Sequence, residues 1–283
     1  MSAVAPDETV HSAEALLRSP GRFAAAARAD LRVVPRAAWR MWLRGLQARH
    51  RASRLGYAWL PVPALALALT WVYLDHVRVV RFGDTGIPYL AYVLSGVVLW
   101  QVFADSLQAP LRALGEARHM LTKARVPHET WLASAALDVV LNLLVRLAVL
   151  AVVLIASGIS LRATILLLPL GVVVLAVVGF AIGLALTPIG LLYGDVGQGL
   201  TVAAGFWFFL TPVVYPWPFD VPGDALIALN PVTPVLVTTR AWLTGAPGSE
   251  PAQLAAVAAG GLVLLLAAWL VYRLARPHLV ARL

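Results

Sequence analysis

Residues Gly205–Pro222 read GFWFFLTPVVYPWPFDVP. Four aromatic side chains stand in a row, Phe206, Trp207, Phe208 and Phe209, and Pro212, Tyr215, Pro216, Trp217 and Pro218 follow. The flanks are apolar, so the stretch belongs in a membrane. Each proline removes a backbone donor and interrupts a helix, and three within seven residues cannot continue a simple span. Non-helical backbone at membrane depth persists only against protein or a water-filled cavity. The stretch therefore reads as a helix that enters the membrane, breaks near the far face and lines something. A span ending in an interfacial aromatic belt is the plainer alternative.

The surrounding chain fits that setting. It has 283 residues, 60% of them hydrophobic and 13% charged, about half the charged fraction of a soluble domain. This is the composition of an integral membrane protein. There is no cysteine, which excludes disulfide and thiolate chemistry. The N-terminal 56 residues hold ten arginines and no apolar run, so no cleaved signal peptide is expected.

Six apolar segments approach the roughly twenty residues needed to cross about 30 Å. They fall near 57–75, 88–106, 131–157, 161–187, 199–217 and 252–272. The fourth carries Gly179 and Gly183, a pair that permits close helix approach. Residues 1–34 read as a cytoplasmic tail. From Pro35, Trp39, Trp42, Leu43 and Leu46 share one helical face while Arg36, Arg40 and Arg44 share another. The expectation is an amphipathic interface helix over 35–51, a six-span domain over 57–272 and a cytoplasmic tail over 273–283. With the N-terminus inside, seventeen Lys and Arg face the cytoplasm and four (Arg78, Arg81, Arg162 and Arg240) face outward. That places both termini in the cytoplasm of a multi-pass protein.

Two loops exceed what a membrane hairpin needs. Residues 107–130 suit a short helix along the membrane surface, offering Glu116, Arg118, His119, Lys123 and Arg125 to a partner, or else a solvated connector. Residues 218–251 include NPVTPVLVTTRAWLTG, too apolar for an open loop, and read as short helices returning into the outer leaflet. The third span places Ser134, Asp138, Asn142 and Arg146 at i+4 spacing on one face. A charge at mid-membrane costs roughly 2.5–3.5 kcal/mol on insertion scales, so this face looks onto protein or water. A hydrated path and partners on neighbouring helices are both open readings. No metal-ligand spacing, nucleophile elbow or P-loop is present, so no cofactor is expected in the chain itself.

The order of motifs resembles a known family. SRLGYAW enters the first span, PYLAYVLSGVVLWQVF forms the second, and LTKARVPHE closes the inner loop. YGDVGQGL precedes FFLTPVVYP, and LNPVTP follows. Over about residues 35–275 this is similar to the permease subunits of bacterial ABC transporters of the type-2 class, in the polysaccharide-export branch (Wzm- and TagG-like). The chain departs from that pattern in its long Ala/Arg-rich head and in GD, rather than RD, at Gly194–Asp195.

The resemblance implies an all-α membrane protein with gate helices between spans five and six, acting as a homodimer in the bacterial inner membrane. It implies two separate ATP-binding cassette subunits that hold ATP and Mg, a coupling helix within 107–130, and Leu55 and Gly56 in the loop before span one. It also implies a lipid-linked polysaccharide substrate of the O-antigen, teichoic-acid or capsule kind, with membrane lipids around the protein and no nucleic acid. Tyr89, Tyr92, Trp100, Phe103, Trp207, Phe208 and Tyr215 are the candidate path lining, since sugar C–H faces pack on aromatic rings. The same scaffold could export a lipid or drug. A membrane-embedded enzyme of lipid-linked sugar metabolism is the reading from another class, and the sparse, dispersed acids disfavour it.

Overall fold

The computed structural model describes residues 20–52, 56–79, 85–121, 126–159, 163–216, 227, 229–245, 249–280 and 282. All regular structure among them is helical: α1 (Pro20–Ala52), α2 (Val62–His76), α3 (Tyr89–Glu116), α4 (Arg118–Leu121), α5 (Glu129–Ala156), α6 (Leu168–Leu192), α7 (Asp195–Phe209), α8 (Val232–Thr244) and α9 (Pro251–Val280). Short 3-10 turns, Gly56–Trp59 and Ala163–Leu167, lead into α2 and α6. Among the described residues, four helical stretches are long and apolar enough to cross a bilayer: α3, α5, α9, and α6 with its leading turn. The other two expected spans correspond to α2 and α7, which are 15 residues each.

Helix α6 is central. It packs between α3 and α9; α5 and α2 flank α3, and α1 lies on α5. The close approach of α6 to α3 rests on the glycine pair singled out above. A Cβ on Gly179 would lie 2.5 Å from the Phe103 carbonyl oxygen, and one on Gly183 would lie 2.1 Å from that of Leu107. No side chain can yield there, because backbone is what would be struck. Gly183→Ala is expected to force α6 off α3 at a cost of about 1–3 kcal/mol. Thermal unfolding in detergent reads this out, with Gly260→Ala, which has open space around it, as the unaffected control.

Three sequence boundaries differ from expectation. The helix expected over 35–51 begins at Pro20 and carries Pro35 in its interior. An interior proline forfeits one hydrogen bond, but buried Ala27, Val34 and Ala38 seat the helix on both sides of it. The inner loop expected from residue 107 is helical through Glu116, with Pro110 inside α3. The aromatic fifth span ends as a helix at Phe209, before Pro212. A helix occupies part of the apolar segment between α7 and α9: all thirteen residues of α8 are buried, and its end at Gly245 uses a φ of 74° that suits glycine.

Candidate functional site: an aromatic seam beside a broken helix

The seam forms where α3 meets α7. Helical spacing puts Trp100 and Phe103 on the face of α3 that receives Trp207 and Phe208 of α7. Trp100 lies 5.2 Å from Phe103 and meets Phe208 edge-on at 5.8 Å; Phe103 meets Trp207 edge-on at 5.0 Å. These are favoured aromatic geometries. Tyr92, Trp100, Phe103 and Phe208 are buried, while Tyr89, Trp207 and Tyr215 are partly buried against the same core. Of the seven rings singled out from the sequence, Trp100, Phe103, Trp207 and Phe208 pack on one another, while Tyr89, Tyr92 and Tyr215 belong to the same core and bond the backbone beyond or at the end of α7. Phe206 and Phe209 are largely exposed, 71% and 60%, and Phe209 meets Phe208 edge-on at 5.3 Å.

Beyond Phe209 the backbone leaves the helix, yet Thr211, Pro212, Val213 and Val214 stay buried. Buried carbonyls need donors, and here side chains supply them. Tyr215 Oη donates to Phe209 O at 3.0 Å and Asn230 Nδ2 to Leu210 O at 3.1 Å. Arg240 Nη2 donates to Val213 O at 2.6 Å, Tyr89 Oη to Val214 O at 3.1 Å and Tyr92 Oη to Tyr215 O at 3.0 Å. Asn230 is a hub: its Oδ1 also accepts from Trp207 Nε1 at 2.9 Å and from Val232 N at 3.0 Å, the latter an Asx turn that opens α8. The Arg240 guanidinium stacks over the Tyr92 ring, 4.1 Å from its centroid. Neither Asn230 nor Arg240 was singled out from the sequence. The Asn-Pro step of LNPVTP was the available signal for Asn230; nothing local marked Arg240.

The polar face of α5 finds partners on neighbouring helices. Asp138 accepts from Trp42 Nε1 at 3.0 Å and from Arg49 at 2.6 Å, both on α1. Asn142 and Arg146 reach Asp105 of α3, at 3.3 and 2.6 Å. Ser134 is half-buried at the head of the same face. Sequence reasoning missed Asp105, although it is the one acid in the second apolar segment.

At the end of the bundle where α4 lies, Leu114, Ala117 and Leu121 are buried in a core with Trp131, Leu132 and Tyr272. They seat the α3–α4 turn so that Glu116, Arg118 and His119 face outward. Lys123, Arg125 and Leu55 lie outside the described residues; Gly56 opens the turn into α2. Close by, buried Arg273 of α9 bridges Glu129 of α5 at 2.8 Å and Asp30 of α1. His128 Nδ1 pairs with Tyr272 Oη at 2.8 Å. Burial, helped by the positive charge of Arg276, pushes the His128 imidazole down to about 4. Among the described residues, no three His, Asp or Glu side chains converge as a metal site would require.

Four long apolar helices among the described residues, together with a broken aromatic helix, define a multi-span membrane protein. No protein-family model matches the chain. It is similar to the O-antigen export system permease protein RfbA of Myxococcus xanthus, 29% identical over 230 residues, which cover 80% of this chain and 86% of that protein. The resemblance to polysaccharide-export permeases read from the motifs is thereby supported by a protein aligned along most of its length.

Proposed function

We propose that the chain is the membrane subunit of an ATP-driven exporter that moves a lipid-linked polysaccharide across the bacterial inner membrane. The observation that carries this reading is the similarity to an O-antigen export permease along most of both chains. In this reading α2 and α7 complete six spans, and the seventeen-to-four charge bias puts both termini in the cytoplasm. The permease works as a homodimer with two ATP-binding cassette subunits, which hold ATP and Mg. The outward-facing Glu116, Arg118 and His119, with Lys123 and Arg125 beyond them, dock those subunits. Leu55 and Gly56 form the loop that lets the first span meet the interface helix. The buried rings Tyr92, Trp100, Phe103 and Phe208 back a path whose sugar-facing surface comes from Tyr89, Trp207 and Tyr215, extended by exposed Phe206 and Phe209.

Reconstitution tests the reading. The protein is placed in liposomes with its ATPase subunits and a lipid-linked O-antigen preparation. ATP hydrolysis should require both subunits and accompany glycan movement. A variant carrying Glu116→Ala, Arg118→Ala and Lys123→Ala should lose ATPase association. Failure of the unmodified protein to associate with any ATPase subunit would overturn the proposal.

A further inference from the structure

The seam contains an arrangement that ring packing does not require. Three consecutive carbonyls, those of Val213, Val214 and Tyr215, each accept from a side chain of another element: Arg240 of α8, then Tyr89 and Tyr92 of α3. The broken end of α7 is thus tied at once to two separate helices. The tie also has a purpose-made niche. A Cβ on Gly96 would lie 2.0 Å from Arg240 Nη2 and 2.2 Å from Val213 O, so only glycine at that position leaves room for the contact.

The arginine is held in an unusual way. Arg240 is 2% exposed, and among the described residues no carboxylate pairs with it, while its Nε has no acceptor. A buried cation is ordinarily matched by an anion, because desolvation is expensive. Among the described residues, the Val213 carbonyl and the Tyr92 side chain are the groups that compensate it. The neutral acceptors seen among the described residues hold the guanidinium by hydrogen bonds and a ring contact, which another arrangement of α8 can exchange.

We propose that Arg240, Tyr89 and Tyr92 form a latch that holds the end of α7 closed in the resting protein, and that α8 must release it for the glycan to pass. The latch rests on the export reading above and adds its regulation. Arg240 and the two tyrosine hydroxyls are positioning groups: they act on the backbone of residues 213–215, and the path opens when that backbone moves. Gly96 is the fourth part, since it admits the guanidinium.

The chain has no cysteine, so one introduced thiol reports without background. Val214, 3% exposed, is replaced by Cys in the transporter assembled with its ATPase subunits in liposomes. A membrane-impermeant maleimide is then supplied on both sides. Resting protein with an intact latch should label slowly, and Mg-ATP should speed it. Tyr92→Phe, Arg240→Lys and Gly96→Ala should each raise the resting rate about tenfold, the factor carried by loss of one hydrogen bond of this kind. Tyr92→Phe removes one oxygen atom only, so it keeps the test alive if Gly96→Ala fails to fold. Resting rates equal to that of the unmodified latch, with only a lower melting temperature, would overturn the latch and leave these contacts as packing. Resting labelling needs neither glycan nor hydrolysis. A failure there counts against the latch alone, whereas an unmodified protein without ATPase-dependent glycan movement counts against the export reading.

Discussion

Arg146→Met is expected to destabilise the folded protein by about 3–5 kcal/mol, the cost of stranding one partner of a buried pair. Arg146 is buried on α5 and bonds Asp105 of α3 at 2.6 Å; Asn142 bonds the same oxygen at 3.3 Å. Without the guanidinium, Asp105 is left within an apolar span with, among the described residues, the Asn142 amide beside it. A charge there is costly wherever water is absent. The double variant Arg146→Met with Asp105→Leu removes both charges, and buried pairs replaced by apolar side chains are often neutral or better. It should recover most of the loss in thermal unfolding in detergent. The same variant decides between the two readings of the α5 face. Both charges are engaged with each other across the α3–α5 contact, so export by the double variant should stay near that of the unmodified protein. Recovered folding with lost export would instead assign the pair to the path.

The i+4 spacing of Ser134, Asp138, Asn142 and Arg146 showed that these residues share a face, and that much was legible. Periodicity cannot say what lies opposite a face, and Asp105, Trp42 and Arg49 supply that information only through tertiary packing. Gly179 and Gly183 were legible for a related reason: a small pair four residues apart permits close approach whichever helix arrives, and α3 is the one that does. The proline cluster correctly ended the fifth helix, though at Phe209, because α7 yields before Pro212 where the preceding turn already lacks a donor. The N-terminal helix was the largest miss. Residues 20–34, Ala- and Arg-rich, read as the end of a tail, whereas they continue the helix and dock Asp30 and Phe23 near Arg273. Arg240 was hidden by the counting rule itself. Charge counts treat every arginine between spans as facing water, whereas this one is buried on a carbonyl.

Arg273→Ala should have the second large effect, about 3–5 kcal/mol, and it should release α1. Arg273 is buried between Glu129 and Asp30, over the rings of Phe23 and Trp269. Once it is removed, buried Glu129 retains, among the described residues, Arg276, 4.0 Å from its Oε2, and Asp30 has lost the bond that ties α1 to α9. Limited proteolysis should then cut within α1 well before the bundle unfolds. Asp30→Ala should cost less, within about 1 kcal/mol, because Asp30 is partly exposed and its loss leaves the buried Arg273–Glu129 pair intact. The pH dependence of this junction has a definite sign. His128, next to Glu129, is neutral in the fold because burial and Arg276 hold it at about 4, against about 6.5 in an unfolded chain. The unfolded state binds the extra proton first, so stability is full above about pH 6.5 and falls as the pH drops toward 4. The whole His128 contribution is on the order of 3 kcal/mol. Melting temperatures measured from pH 7 to pH 4 should decline more steeply for the unmodified protein than for His128→Gln. Equal slopes would mean that His128 accepts its proton within the folded junction, which its burial and the nearby Arg276 oppose.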